Sequence, residues 1–259
     1  MTPEQFRRRL MENTFNVDCG YATITTLSDS NAGTLNICGD DFNLSQIASV
    51  TLNGTSVAVA RTISVPAGQS TVRINYRGLT SAKDMFANVA KNYNDNTRQV
   101  VVLDISNLNT SFVKDASSMF EEGYFKNIVG IGAIDVSKVT SMYHLFWNAV
   151  FYNQDELNLS EWNVSKVSNF NYAFGLLIGI TKINLTGWDT SQATDMSYMF
   201  ADIHSPFNEV IMTGPTNPNA IVTSLFRNAH STGTFKYNNS YNYSHIIGQL
   251  PSGWIKQAI

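Results

Sequence analysis

The chain has 259 residues, with 17 Lys and Arg against 20 Asp and Glu, and its net charge of −3 gives no general attraction to nucleic acid or an anionic membrane. Hydrophobic residues reach 43%, enough for a real core and too many for a disordered segment. Charged residues are only 14%, against roughly 25% in ordinary soluble domains, and Asn, Ser and Thr fill the gap, as suits a chain exposed to the outside or built into an assembly.

Residues 1–16 read as a short helix, with Thr2 as N-cap and Pro3 in the first turn. The segment lacks the apolar stretch of a secretory signal. Phe6, Arg7, Arg8 and Leu10 form a basic–apolar set suited to anchoring the chain on a larger assembly. No run of 18 apolar residues occurs anywhere, so no membrane-spanning helix is expected.

Residues 17–78 read as a small β-rich domain. Thr34–Cys38, Ser49–Leu52, Val57–Ala60 and Thr71–Tyr76 are the expected strands, Asn53-Gly54 is a hairpin signal and Pro66-Ala67-Gly68 marks another turn. Cys19 and Cys38 both lie here, and a bridge and two free thiols are both open.

Residues 79–235 repeat. A hydrophobic residue followed by Phe recurs at Phe86, Phe120, Phe146, Phe174, Phe200 and Phe226, at intervals of 34, 26, 28, 26 and 26. Counting back from each Phe, Val113, Val139, Val167 and Ala193 stand at −7, and Ala116, Met142, Phe170, Met196 and Val222 at −4. Positions −7, −4, −1 and 0 fall on one face of a helix. Ser111, Ser137, Ser165 and Ser191 at −9 fit a helix N-cap, and Asn109, Asp135, Asn163 and Asp189 at −11 fit an Asx turn leading into it. Upstream, apolar residues at −17 and −15, such as Leu103 and Ile105, Val129 and Ile131, Leu157 and Leu159, or Ile183 and Leu185, have the period of a half-buried strand. The expected unit is strand, turn, short helix and return. One unit cannot bury its own faces, so the copies must stack. The fold class read from the pattern is an α/β repeat solenoid, leucine-rich-repeat-like, with parallel strands and short helices, preceded by the β-rich domain.

Residues 236–259 read as a C-terminal cap, with a last strand at Gly233–Tyr237 leading in, a short helix over Tyr243–Gln249, and Trp254 covering the final repeat.

The stretch Ile183-Asn184-Leu185-Thr186-Gly187-Trp188-Asp189-Thr190-Ser191, with Met196 and Met199-Phe200 after it, resembles the BspA-like leucine-rich repeat of bacterial surface proteins, and Leu157–Val167 is a second close copy. The resemblance covers roughly residues 79–235. It implies a surface-displayed binding or scaffold protein of a bacterium or of a phage.

Motifs for chemistry are missing from the sequence. His144, His204, His230 and His245 lack metal-ligand spacing, there is no GxSxG, and Gly130-Ile131-Gly132 lacks the rest of a dinucleotide loop. Asp29–Gly33 begins like a calcium loop, but Thr34 replaces the glycine such a loop needs at its sixth position. No catalytic residue, cofactor or metal is therefore expected. Trp162 and Trp188 share position −12, where they either stack between repeats or line an exposed edge, and Asn158 and Asn184 lie on the polar strand face beside them. These four are the candidate binding residues, for a glycan or a protein.

The functional expectation is a non-catalytic phage virion protein (capsid decoration, head-fibre or tail-associated) that docks on other virion proteins through residues 1–16 and presents its solenoid to a host surface. A cell-surface adhesin is the alternative, and a glycan-active enzyme on a repeat scaffold a remote third. Open solenoid edges leave self-association open as well.

Overall fold

The computed structural model describes residues 17–27, 30, 32–90, 100–203 and 206–259. The expected anchor residues Phe6, Arg7, Arg8 and Leu10 lie outside them, as do His204 and the Asp29 and Asn31 of the calcium-loop reading.

The N-terminal part is β-rich. Strand β1 (Asp18–Thr26), which the sequence pattern does not reveal, is followed by β2 (Gly33–Asn36), β3 (Ile47–Leu52), β4 (Thr55–Val57), β5 (Thr62–Val65) and β6 (Thr71–Arg77). Asn53 and Gly54 turn β3 into β4, both with positive φ, as a two-residue hairpin requires. The repeats supply β7 (Val101–Leu108), β8 (Tyr124–Val129), β9 (Val150–Phe151), β10 (Glu156–Asn158), β11 (Lys182–Leu185), β12 (Glu209–Met212), β13 (Thr232–Tyr237) and β14 (Gly253–Ala258). A single sheet runs β4-β3-β6-β1-β7-β8-β9, so strand pairing passes without a break from the N-terminal part into the repeats. A second sheet, β10-β11-β12-β13-β14, is parallel throughout and advances by one repeat per strand.

The repeats therefore form a β-solenoid of stacked parallel strands, and this corrects the leucine-rich-repeat-like expectation. The segments expected to be helices are runs of tight turns. The only α-helix among the described residues is α1 (Ser244–Ile247), in the C-terminal cap. The reason lies in the backbone. Residues at −2 (Ser118, His144, Tyr172, Tyr198, Ser224) and at +2 (Glu122, Asn148, Leu176, Asp202, Asn228) all have φ between 52° and 59°. Left-handed residues at every such position rule out a right-handed helix.

The alternation has a consequence for hydrogen bonding. Every second N–H points to the next repeat: Met142 to the Asn169 carbonyl (2.8 Å), His144 to Asn171 (3.0 Å), Phe146 to Ala173 (2.8 Å) and Asn148 to Gly175 (2.9 Å). The N–H groups between them close turns within the repeat, as Leu145 to Met142 (3.2 Å) and Trp147 to His144 (3.0 Å). The same registry repeats from Phe86 to Phe226. Three-residue turns bring −7, −4, −1 and 0 inward much as a helix would, so the apolar spacing fits both.

The Asx turns at −11 are present, with Asn109, Asp135, Asn163 and Asp189 accepting from the N–H two residues on at 2.9–3.2 Å. They lead into a turn rather than a helix. In the repeat of Phe146 the strand phase slips by one: Ile128 is buried and Val129 is 39% exposed, after which Gly130 takes φ 81° and a short 3-10 turn follows.

Phe86, Phe120, Phe146, Phe174, Phe200 and Phe226 are all buried and stack along the axis with centroids 4.7–5.9 Å apart. Tyr76 meets one end of this ladder edge-on at 6.4 Å, and Trp254 closes the other at 5.3 Å from Phe226. Trp254 stands on β14, with its indole N–H donating to the His230 carbonyl (2.8 Å). Cys19 and Cys38 are free and buried, and burial pushes the Cys38 thiol up to about 11.

Two outcomes test this architecture. Phe146→Ala removes a ring stacked on both sides and should cost about 3–5 kcal/mol in urea or guanidinium unfolding. Leu176 holds φ 56°, so Leu176→Ile should cost about 1–2 kcal/mol whereas Leu176→Asn, the residue found at +2 in other repeats, should cost nothing or stabilise.

Candidate functional site

The inward positions of each repeat are taken by the core, so ligand contact falls to the outward positions −5, −3, −2 and +1. In the first repeats these line an open groove of about 570 Å³ bordered by Asp41, Lys83, Asp84, Asp115, Glu121, Tyr143 and His144. Asp41 comes from the loop after β2, and the rest from successive rungs.

The groove is acidic but partly compensated. Lys83 Nζ lies 2.7 Å from Asp41 Oδ2, and His144 Nδ1 lies 3.4 Å from Glu121 Oε2. Asp84 Oδ2 accepts the Asp41 N–H (3.1 Å), and Asp115 Oδ1 accepts the Ser117 N–H (2.9 Å). Burial, reinforced by the charges of Asp41 and Glu121, raises the Asp84 carboxyl above its ordinary range, although the Asp41 N–H and Lys83 act the other way. Burial and then Glu121 raise the Tyr143 hydroxyl.

Aromatic rings continue the groove along the axis. Tyr143, 40% exposed, stacks on His144 at 3.9 Å, and His144 meets Tyr172 edge-on at 5.5 Å. Tyr172 stacks on Tyr198 at 4.6 Å, and the Arg227 guanidinium lies 4.8 Å over Tyr198. The result is a stripe of half-buried rings at −2 with an acidic groove at one end.

The residues singled out from the sequence sit elsewhere. Trp162 and Trp188 are 3% and 1% exposed, stack on each other at 6.3 Å, and donate their indole N–H groups to the Ile131 and Leu159 carbonyls (2.8 Å each). Their rings are core, so the exposed-edge reading is corrected: at −12 the chain has just turned inward. Asn158 and Asn184 reach the surface, but their side chains accept the N–H groups of Ser160 and Thr186 (3.1 Å each) and hold turns. His144, which the sequence offers only as a histidine without metal-ligand spacing, lines the groove. The signal for the groove in the sequence is the run of rings two and three residues before the repeat Phe (Tyr143, His144, Tyr172 and Tyr198); its carboxylates from the repeats, Asp84 at −2, Asp115 at −5 and Glu121 at +1, share no position.

Among the described residues no cluster of three or more His, Cys, Asp or Glu side chains could hold a metal ion, and no helix is long and apolar enough to cross a membrane.

A family model described as "Mycoplasma protein of unknown function, DUF285" matches residues 70–157 and 124–241. The chain belongs to this family. Membership agrees with the BspA-like resemblance of the repeats, and the match begins immediately before β6, inside the β-rich segment, and ends beyond β13. Neither a curated protein nor a solved structure matches the chain. The DUF285 family together with the solenoid fits a surface or binding protein.

The groove gives a pH-dependent outcome. A carboxyl whose folded pKa is raised opposes folding once ionised; that opposition is absent below the ordinary value of 3.8 and complete above the folded value. Asp84→Asn keeps an acceptor for the Asp41 N–H, so it should raise the melting temperature at pH 7, with the gain shrinking to nothing near pH 3.

Proposed function

We propose that this DUF285 protein is a non-catalytic binding protein displayed on an outer surface, with the groove and ring stripe as its ligand face. The supporting observation is the meeting of an exposed ring, Tyr143, with the carboxylates of Asp84 and Asp115 in one open groove. A sugar ring offers an apolar face to such a ring and hydroxyl donors to such carboxylates, so a neutral or amino-bearing glycan fits better than an acidic one. A shallow open groove gives weak single contacts, which display in many copies would strengthen.

Glu121 is held by His144 and Asp115 by its own turn, and we assign neither a catalytic role. The first setting for display is a virion, where the solenoid would be presented by docking residues 1–16 on other virion proteins. The second is a bacterial cell surface, which the family's description as a Mycoplasma protein favours.

A glycan array probed with the full chain should give selective signal for neutral or amino sugars, reduced at least tenfold by Tyr143→Ala with the fold intact by circular dichroism. Signal unchanged in that variant would remove the ligand from the groove. Mass spectrometry of purified virions and of cell-envelope fractions separates the two settings, and detection only in cytosol would sink surface display.

A further inference from the structure

The inter-repeat hydrogen bonds from −4 to +2 all run one way. In every rung before the last, N–H groups at these alternate positions point toward the C-terminal end and meet carbonyls of the next repeat; Phe200 donates to Leu225 (2.9 Å) and Tyr198 to Thr223 (3.1 Å). After the last rung there is no next repeat. The N–H groups of Ser224, Phe226 and Asn228 have no hydrogen-bond acceptor among the described residues, although Phe226 itself is only 4% exposed.

Ser224 and Asn228 are left-handed (φ 55° and 52°) on either side of Phe226, an alternation that turns the N–H groups of Ser224, Phe226 and Asn228 to one side while those of Leu225 and Arg227 close turns within the rung. A pocket of about 310 Å³ lies over this row, closed on the far side by Gln249 and Pro251. At the opposite end of the stack the Gln46 amide donates to the Ser81 carbonyl (3.0 Å), at −5 of the first rung, and the Gly39 N–H donates to the Asp84 carbonyl (2.8 Å), which also closes a turn with the Ala87 N–H. At the C-terminal end the donors of the row are left bare. The aligned peptide dipoles put their positive ends at the bare end, as at the start of a helix.

We propose that this end of the solenoid binds a phosphate or sulfate oxyanion in the cup formed by the N–H groups of Ser224, Phe226 and Asn228. Gln249 adds a side-chain amide donor at the rim. The carboxylate of Asp202 is paired with Arg227 and accepts from the Asn228 amide (2.9 Å), so it does not leave an uncompensated charge against the anion. The site is independent of the acidic groove and of any ligand bound there.

Titration of the ¹⁵N-labelled full chain with inorganic phosphate tests it. Saturable shifts concentrated at the amides of Ser224, Phe226 and Asn228 are expected, beyond those caused by chloride at equal ionic strength. Gln249→Glu places a tethered carboxylate at the cup and should weaken phosphate binding at least tenfold. Dextran sulfate binding far more tightly than inorganic sulfate would mark the anion as polymer-borne, and equal affinity as a free ion. Shifts no larger than with chloride, or phosphate affinity unchanged in Gln249→Glu, would overturn the site.

Discussion

The backbone hydrogen bonds that join one rung's tight turns to the next govern the rest of the molecule. To aim every second N–H along the axis, the chain must alternate right- and left-handed residues, and the left-handed ones include His144, Tyr172, Tyr198 and Leu176, for which that conformation is strained. The strain is held by neighbours on both sides: each turn is clamped between two others, and the Phe between its two left-handed residues sits in a stack of rings. An isolated repeat would have neither, so the unit has its shape only as part of the stack.

Such a stack has two ends, and each exposes both the ring ladder and the polar strip. At the N-terminal end β1 pairs antiparallel with β7 and the sheet reverses direction, while Tyr76 covers Phe86 and buried Gln46 reaches the strip. Gly39 is part of this closure: a Cβ there would lie 2.8 Å from the Ala87 methyl carbon, so no larger residue allows the loop to approach. At the C-terminal end Trp254 covers Phe226, and the Tyr243 hydroxyl donates to the Gly214 carbonyl (2.6 Å). The hydrophobic ladder is thus closed at both ends, whereas protein meets the polar strip at the Ser81 carbonyl of the first rung and not at the donors of Ser224, Phe226 and Asn228.

This division of labour separates fold from function. Inward positions and the residues at −11 are committed to the core and to turns, which is why the Trp pair and the Asn pair, regular as they are, are structural. At −5 the side chains of Asp115, Ser141, Asn169 and Asp195 likewise accept the N–H two residues on and hold turns. The outward position −2 carries no such duty and varies from rung to rung, running Ser118, His144, Tyr172, Tyr198, Ser224. A binding face on this scaffold is written in the positions that do not repeat.

The sequence by itself determined the repeat length, the inward set, the Phe ladder, the Asx turns and the capping role of Trp254, because each follows from local spacing or from residue chemistry. It also carried, in the repeated motif around Trp162 and Trp188, the resemblance to surface repeats that the family membership agrees with. The tertiary structure decided whether the Phe segments are helix or turns: inward spacing is the same for both, and the choice is made by hydrogen bonds to a neighbouring rung some 26 residues away. It also decided that β1 bridges the two parts of the chain, and that Asp41, Asp84, Glu121 and Tyr143, drawn from a loop and three repeats, share one groove. Those are long-range pairings, and no local pattern specifies which distant strand or rung will supply the partner.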